Sequence, residues 1–185
     1  MGGPVMIEGG GLGSFRPEEI GPIDVQSKNG VVDIIVADQT LLRDLIPEKR
    51  RRTYDVRKII TTMADRESFL ELRPQFGLGM ITCFLRIKGK AFGLIANNCQ
   101  HMGGTIEADD ADKAARFMQL CNAHGLPVVS LIDTPGFMVG PEIEQQAQVR
   151  HVCRMFIIGS HLIVPFFSIV LRRGYGLGAM AMARG

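Results

Sequence analysis

The residues best suited to chemistry stand at turns that end apolar runs. In "PVVSLIDTPGFMVG", Pro127 to Gly140, a hydrophobic stretch closes on Asp133-Thr134-Pro135-Gly136-Phe137. "NNCQHMGG" follows the apolar run 92–98, and "GYGLGA" follows 166–173. Glycine has no Cβ, so such turns let backbone N–H groups come close to a ligand. Where a turn opens a helix, those groups point outward and the helix dipole favours negative charge. A pair of them can hold an oxyanion, each donor contributing ~3 kcal/mol. One such turn is most simply a packing device. Three after strands of one sheet argue for an anion-binding site.

Other chemistries find less support. Asp133 and Gly136 fit the Asp-x-x-Gly switch of a GTPase, but no G-x-x-x-x-G-K-[ST] segment exists to cradle phosphates, and there is no Asn-Lys-x-Asp for guanine. Ser130 is not in a G-x-S-x-G elbow, and no cysteine has a recognisable catalytic setting. His101 is two residues from Cys99, a spacing more often structural than metal-binding. His124 falls near a helix C-terminus, where a cationic ring is favourable, and His151 lies mid-helix beside Arg150 and Arg154, as a surface or partner face. Asp109, Asp110 and Asp112 read as helix-capping charges rather than a catalytic carboxylate pair.

Composition sets the frame. The 185 residues suffice for one domain with a core, and 46% hydrophobic with 22% charged residues is a globular balance. A net charge of +2 points to no acidic partner and excludes a strongly basic nucleic-acid binder. Cys83, Cys99, Cys121 and Cys153 are far apart, without a Cys-x-x-Cys pair, which leaves free thiols as the simplest account. The start shows no secretory signal, and "HLIVPFFSIVL" is too short for a membrane span and contains Pro165.

The elements that must position the turns follow from periodicity. Residues 1–30 read as Gly- and Pro-rich loops with a short helix near "RPEEI", and Gly30–Asp38 as a strand. "QTLLRDLIPEKRRR" reads as a short helix entering a basic run, 48–58, taken as a solvated linker, with an electrostatic handle for a phosphorylated ligand as the minor alternative. "YDVRKIITTMA" has helical spacing, and "SFLELRP" is a second short apolar element. "ITCFLRIKGKAFGLIANN" predicts two strands about Lys88-Gly89-Lys90. A helix over "ADDADKAARFMQLCNAHG", a strand over "LPVVSLID", one helix over "PEIEQQAQVRHVCRMFIIGS", a strand over "VPFFSIVLRR" and a last helix from "GYGLGAMAMARG" complete an α/β pattern with right-handed crossovers.

These segments together resemble a family. "GLIANN", "GG.IEADDADKAARFMQLCNAHGLPVVSLIDTPGFMVGPEIE" and "VPFFSIVLRRGYGLGAMAM" closely resemble the carboxyltransferase (β-type) component of biotin-dependent acyl-CoA carboxylases, the acetyl-, propionyl- and methylcrotonyl-CoA group. The resemblance spans nearly the whole chain. It implies an α/β crotonase-like (ββα superhelix) fold, mostly one incomplete C-terminal half. Residues 1–47 would end the N-terminal half, 48–58 link, and 59–185 form the truncated C-terminal half. Such a piece carries mainly the biotin side and is expected to be inactive alone.

The resemblance also implies the chemistry: a carboxyl group passes from carboxybiotin on a carrier domain to the α-carbon of an acyl-CoA through oxyanion-stabilised enolates, with no metal in this chain. The backbone donors fall at Leu177 and Gly178, or one residue on, at Gly178 and Ala179. The family often has Tyr-Gly-Gly-Ala here. Tyr175 and Gly176, Ala96, Asn97, Asn98, Gly103 and Gly104, and Pro135, Gly136 and Phe137 match the biotin-side segments, although Asn-Cys-Gln stands where the family often has Pro. Implied partners are a biotin carboxylase, a biotin carboxyl carrier and further copies of the chain, with no nucleic acid or membrane, in the cytoplasm or, in a eukaryote, the mitochondrial matrix. Two alternatives stand beside this one. They are another crotonase-like acyl-CoA hydratase or isomerase, and a non-catalytic fragment or assembly surface whose open sheet edges favour association.

Overall fold

The computed structural model describes residues 44–49 and 52–184. The strand expected at Gly30–Asp38 and the helix near "RPEEI" lie outside them. Asp44 and Leu45 are the described helical residues of the segment expected as a helix after Gln39.

The elements are α1 (Val56–Met63), β1 (Leu70–Leu72), β2 (Met80–Ile87), β3 (Lys90–Asn97), α2 (Ala108–Ala123), β4 (Val128–Thr134), α3 (Pro141–Gln145), α4 (Gln148–His161), β5 (Phe166–Gly174) and α5 (Gly176–Met182). The five strands form one sheet in the order β1-β2-β3-β4-β5. β1, β2 and β3 pair antiparallel, while β3, β4 and β5 run parallel.

The β2–β3 hairpin closes on Lys88 and Gly89, at φ 51° and 77°. Two successive positive φ values match the right-handed twist of the strands. Asp65 fixes this turn by accepting the N–H groups of Lys88 and Gly89 at 2.9 and 2.7 Å.

Side-chain alternation divides the core in two. On one face Met80, Ile95, Val128 and Ile132 meet Ala111, Ala114 and Met118 of α2 and Val152 and Met155 of α4. On the other, Ile81, Cys83, Leu94, Val129 and Leu131 meet Val56, Ile59 and Ile60 of α1. β5 borders the described sheet, with Phe167, Ile169 and Val170 exposed.

Three expectations need revision. The single helix expected over 141–160 is two helices, because Ala147 is left-handed at φ 56° between α3 and α4. The break lets Gln148 turn inward, where its amide donates to the Ile106 carbonyl at 3.0 Å. The basic run is not wholly solvated: α1 starts inside it, Tyr54 and Val56 are buried, and Arg57 forms a two-bonded pair with Glu71 at 2.7 and 2.8 Å. Asp110 caps α2 reciprocally with Glu107, but Asp112 instead joins α2 to α4, accepting from Arg154 at 2.9 Å and pairing with His151 at 2.9 Å.

Candidate functional site

The parallel strands β3, β4 and β5 each end in one of the Gly-containing turns, and the three turns meet. Ligand sites in open α/β sheets gather at this carboxyl end. Thr134 and Tyr175 join the β4 and β5 turns through a 3.3 Å backbone bond from the Tyr175 N–H. The Gly136 carbonyl accepts from Ile106 at 3.0 Å, and the Ile106 carbonyl from Met138 at 2.9 Å. These bonds form a short parallel bridge that ties the 133–137 loop to the segment after Gly104.

Glycine is required at two of the contacts. A Cβ on Gly104 would lie 2.5 Å from the Asp133 carbonyl oxygen, and one on Gly178 would lie 2.8 Å from the Cα and C of Gly136. Both are backbone approaches that no larger residue allows. Within the loop, Thr134 Oγ1 accepts the Gly136 N–H at 3.0 Å. Phe137 packs edge-on against Phe156 of α4 at 6.3 Å.

The expected site residues divide by depth. Pro135, Tyr175, Gly176 and Leu177 are exposed; Gly103, Gly136, Phe137 and Ala179 are half-buried. Ala96, Asn97, Gly104 and Gly178 are buried. Asn97 accepts the Asp133 N–H on its Oδ1 at 3.1 Å, and its Nδ2 is buried without a hydrogen-bond partner. The Ala179 N–H donates to the Tyr175 carbonyl at 3.3 Å, whereas those of Leu177 and Gly178 precede the helix's own bonds.

Beneath the turns lies a polar cluster that periodicity and motifs did not assemble. Asp133 is fully buried and accepts from Tyr54 Oη at 2.8 Å, pairs with Arg172 Nη2 at 3.0 Å and accepts from Arg173 Nε at 2.7 Å. The Arg172 guanidinium stacks over the Tyr54 ring at 5.0 Å. Burial, then the nearby Asp133 charge, pushes the Tyr54 hydroxyl well above the usual phenol range, so it serves as a proton donor to the carboxylate. Cys99 packs beside it, its thiol donating to the Tyr54 carbonyl at 3.1 Å and raised chiefly by burial. The adjacent arginines Arg172-Arg173 were the available signal, hidden inside an apolar strand pattern.

His101 bonds Glu107 at 2.9 Å rather than joining Cys99. Among the described residues no group of three or more His, Cys, Asp or Glu is placed to hold a metal ion. A cavity of about 620 Å³ lies elsewhere, between α2, α4 and the β1–β2 pair, lined in part by Leu72, Lys113, Phe117 and His161. None of the expected site residues borders it.

The carboxyl transferase domain family matches residues 20–184. The chain belongs to this family. It is 35% identical over 147 residues to the biotin-dependent acetyl-/propionyl-coenzyme A carboxylase beta6 subunit of Mycobacterium bovis, a match covering 79% of this chain and 31% of that protein. A single-chain, multi-domain long-chain acyl-CoA carboxylase superposes with TM-score 0.78 and 49% identity, over 100% of this chain and 21% of its own. Transcarboxylase 12S, a hexamer solved with methylmalonyl-coenzyme A, superposes with TM-score 0.77 and 27% identity, over 97% of this chain and 42% of its own. The chain thus spans less than half the length of these relatives, and it shares their crotonase-like fold. Among the described residues no helix is long and apolar enough to cross a membrane.

Proposed function

We propose that this chain builds the biotin-facing side of a carboxyltransferase that moves a carboxyl group from carboxybiotin to the α-carbon of an acyl-CoA. The observation that carries this reading is the meeting of three turns at the carboxyl ends of three parallel strands, with the Leu177 and Gly178 N–H groups at the opening of α5. A pair of neutral backbone donors fits a ureido carbonyl that gains negative charge. It needs no side-chain base and no metal ligand.

Carboxybiotin, when bound, would supply carbon dioxide and a ureido nitrogen able to take the acyl-CoA α-proton. The chain's own part is positional. Leu177 and Gly178 donate to the developing oxyanion, a term of roughly 3 kcal/mol per donor where such donors have been removed. The Ala179 N–H is already engaged within the helix, which favours the earlier of the two donor registers. Pro135, Gly136 and Phe137 form one wall and Gly103 with Gly104 another, while Tyr175 and Gly176 set the entry to α5. Asn97 acts from beneath by accepting the Asp133 N–H at the start of the 133–137 loop, and Ala96 pairs beside it with Leu131 of β4. The domain division at 47 and 58, the carrier and carboxylase partners, and a homo-oligomeric assembly belong to the same proposal.

A crotonase-like hydratase or isomerase requires a carboxylate that moves protons. Asp133 is the one carboxylate in the three turns, and it is buried between two guanidinium groups. That occupation opposes the alternative.

The test is decarboxylation of malonyl- or methylmalonyl-CoA by full-length protein, with and without free biotin. Turnover that depends on biotin is expected. Hydration of an enoyl-CoA without biotin, and no decarboxylation with it, would sink the reading.

A further inference from the structure

β5 advances four residues, Val170 to Gly174, while its partner β4 advances two, Ile132 to Thr134. In a regular ladder consecutive side chains point to opposite faces, so adjacent arginines would not share a partner. Irregularities of this kind re-aim side chains beside functional sites. Here Arg172 reaches Asp133 Oδ2 and Arg173 reaches Oδ1.

From that shared carboxylate the two arginines diverge. Arg172 Nη1 donates to the carbonyls of Pro47, Lys49 and Arg52, at 3.4, 3.2 and 2.7 Å. Arg173 Nη2 donates to the Gly103 carbonyl at 2.6 Å. Gly104 leaves no space there: its hypothetical Cβ would lie 2.5 Å from the Asp133 carbonyl and 3.5 Å from Arg173 Nη2.

A buried carboxylate needs one well-placed cation and a few hydrogen bonds. Arg172 and Tyr54 already provide these on Oδ2. Arg173 is therefore the surplus cation, and its remaining fork is directed at a glycine carbonyl in one of the three site turns. We propose that Arg173 is a positioning residue for carboxyl transfer: locked by Asp133, its guanidinium holds the Gly103–Gly104 turn against the 133–137 loop and so fixes the wall that faces the donors of α5. The role rests on the carboxyltransferase function proposed for the chain. A planar guanidinium can serve both acceptors in fixed geometry, whereas a lysine ammonium on a flexible stem does not.

The experiment compares Arg173→Lys and Arg173→Ala with wild type in full-length protein. It follows biotin-dependent decarboxylation of methylmalonyl-CoA and amide hydrogen exchange over residues 99–105. A displaced wall is expected to lower kcat by roughly 10- to 100-fold while leaving KM for the acyl-CoA nearly unchanged. Exchange over 99–105 should accelerate in both variants. Methylguanidinium should restore kcat to Arg173→Ala, whereas methylammonium should not. Wild-type kcat together with wild-type exchange in Arg173→Lys would overturn the proposal. Loss of the thermal unfolding transition in both variants would also overturn it, in favour of a role in holding the fold. If wild type shows no biotin-dependent turnover, the carboxyltransferase reading fails instead. In that case the exchange data still decide whether Arg173 holds the turn.

Discussion

Gly178→Ala puts the central contact of the site to a single-atom test. The added Cβ would stand 2.8 Å from the Cα and C of Gly136 and 3.1 Å from the Phe137 nitrogen. Ordinary contact starts at 3.4 Å, so α5 and the loop must part by about 0.6 Å, the shortfall from 2.8 Å. All three neighbours are backbone atoms, so no side chain can rotate away. Overpacking of this kind costs roughly 1–3 kcal/mol. The melting temperature of the full-length protein should fall accordingly. The same separation shifts the Leu177 and Gly178 donors relative to the wall. Since a misplacement of ~1 Å costs up to ~100-fold, about a 10-fold fall in kcat is expected. Gly125→Ala is the control: it has positive φ but nothing within 4 Å, so it should lose about 1 kcal/mol in strain and no turnover. Thermal melts with decarboxylation kinetics of full-length protein measure both. A Gly178→Ala variant with wild-type kcat and melting temperature would refute the inference that this approach shapes the site.

The buried polar groups and thiols give three more expected outcomes. Asp133→Ala leaves two guanidinium groups without their carboxylate and should cost about 3–5 kcal/mol, read from the urea midpoint. Lys113 is buried, with one bond from Nζ to the Gly77 carbonyl at 3.2 Å, and burial lowers its pKa below the ordinary 10.5. Because the folded value is depressed, its contribution to stability is present above the unfolded value and is lost as pH falls through the folded one. Lys113→Met should therefore be more stable than wild type by about 1 kcal/mol at pH 7, and the difference should shrink as pH approaches the unfolded value; an invariant difference would contradict this. Burial pushes the Cys83 and Cys121 thiols up to about 12, Cys99 is also buried, and Cys153 is exposed. A disulfide reagent at mildly alkaline pH should modify Cys153 rapidly in native protein and Cys83, Cys99 and Cys121 only on unfolding, read by peptide mapping; fast modification of any of those three would count against the described core.

Much of the fold was legible because its signals are local. Lys88-Gly89 marked the hairpin, since a two-residue turn needs positive φ. The Ala and Met spacing of α2 marked its buried face. The break at Ala147 was not legible: no Gly or Pro stands there, and the left-handed residue is held by the inward turn of Gln148 onto Ile106. Asp112 has the sequence position of a cap, but its partners, His151 and Arg154, lie across on α4. Asn97 sat within a motif that pointed outward to a ligand, yet its amide is directed at the Asp133 backbone.

By itself the sequence determined the hairpin, the helices and strands from Ala108 to Thr134, the strand and helix on either side of the last turn, the three turns and their glycines, and the family. Those come from periodicity and backbone freedom, which act over a few residues. The tertiary structure alone decided what Asp133 does. Its partners lie 79, 39 and 40 residues away. For the two arginines that reach depends on the irregular pairing of β5 with β4, which brings successive residues to one carboxylate. Desolvation then requires that the carboxylate be paired, because an unpaired buried charge is too costly to keep.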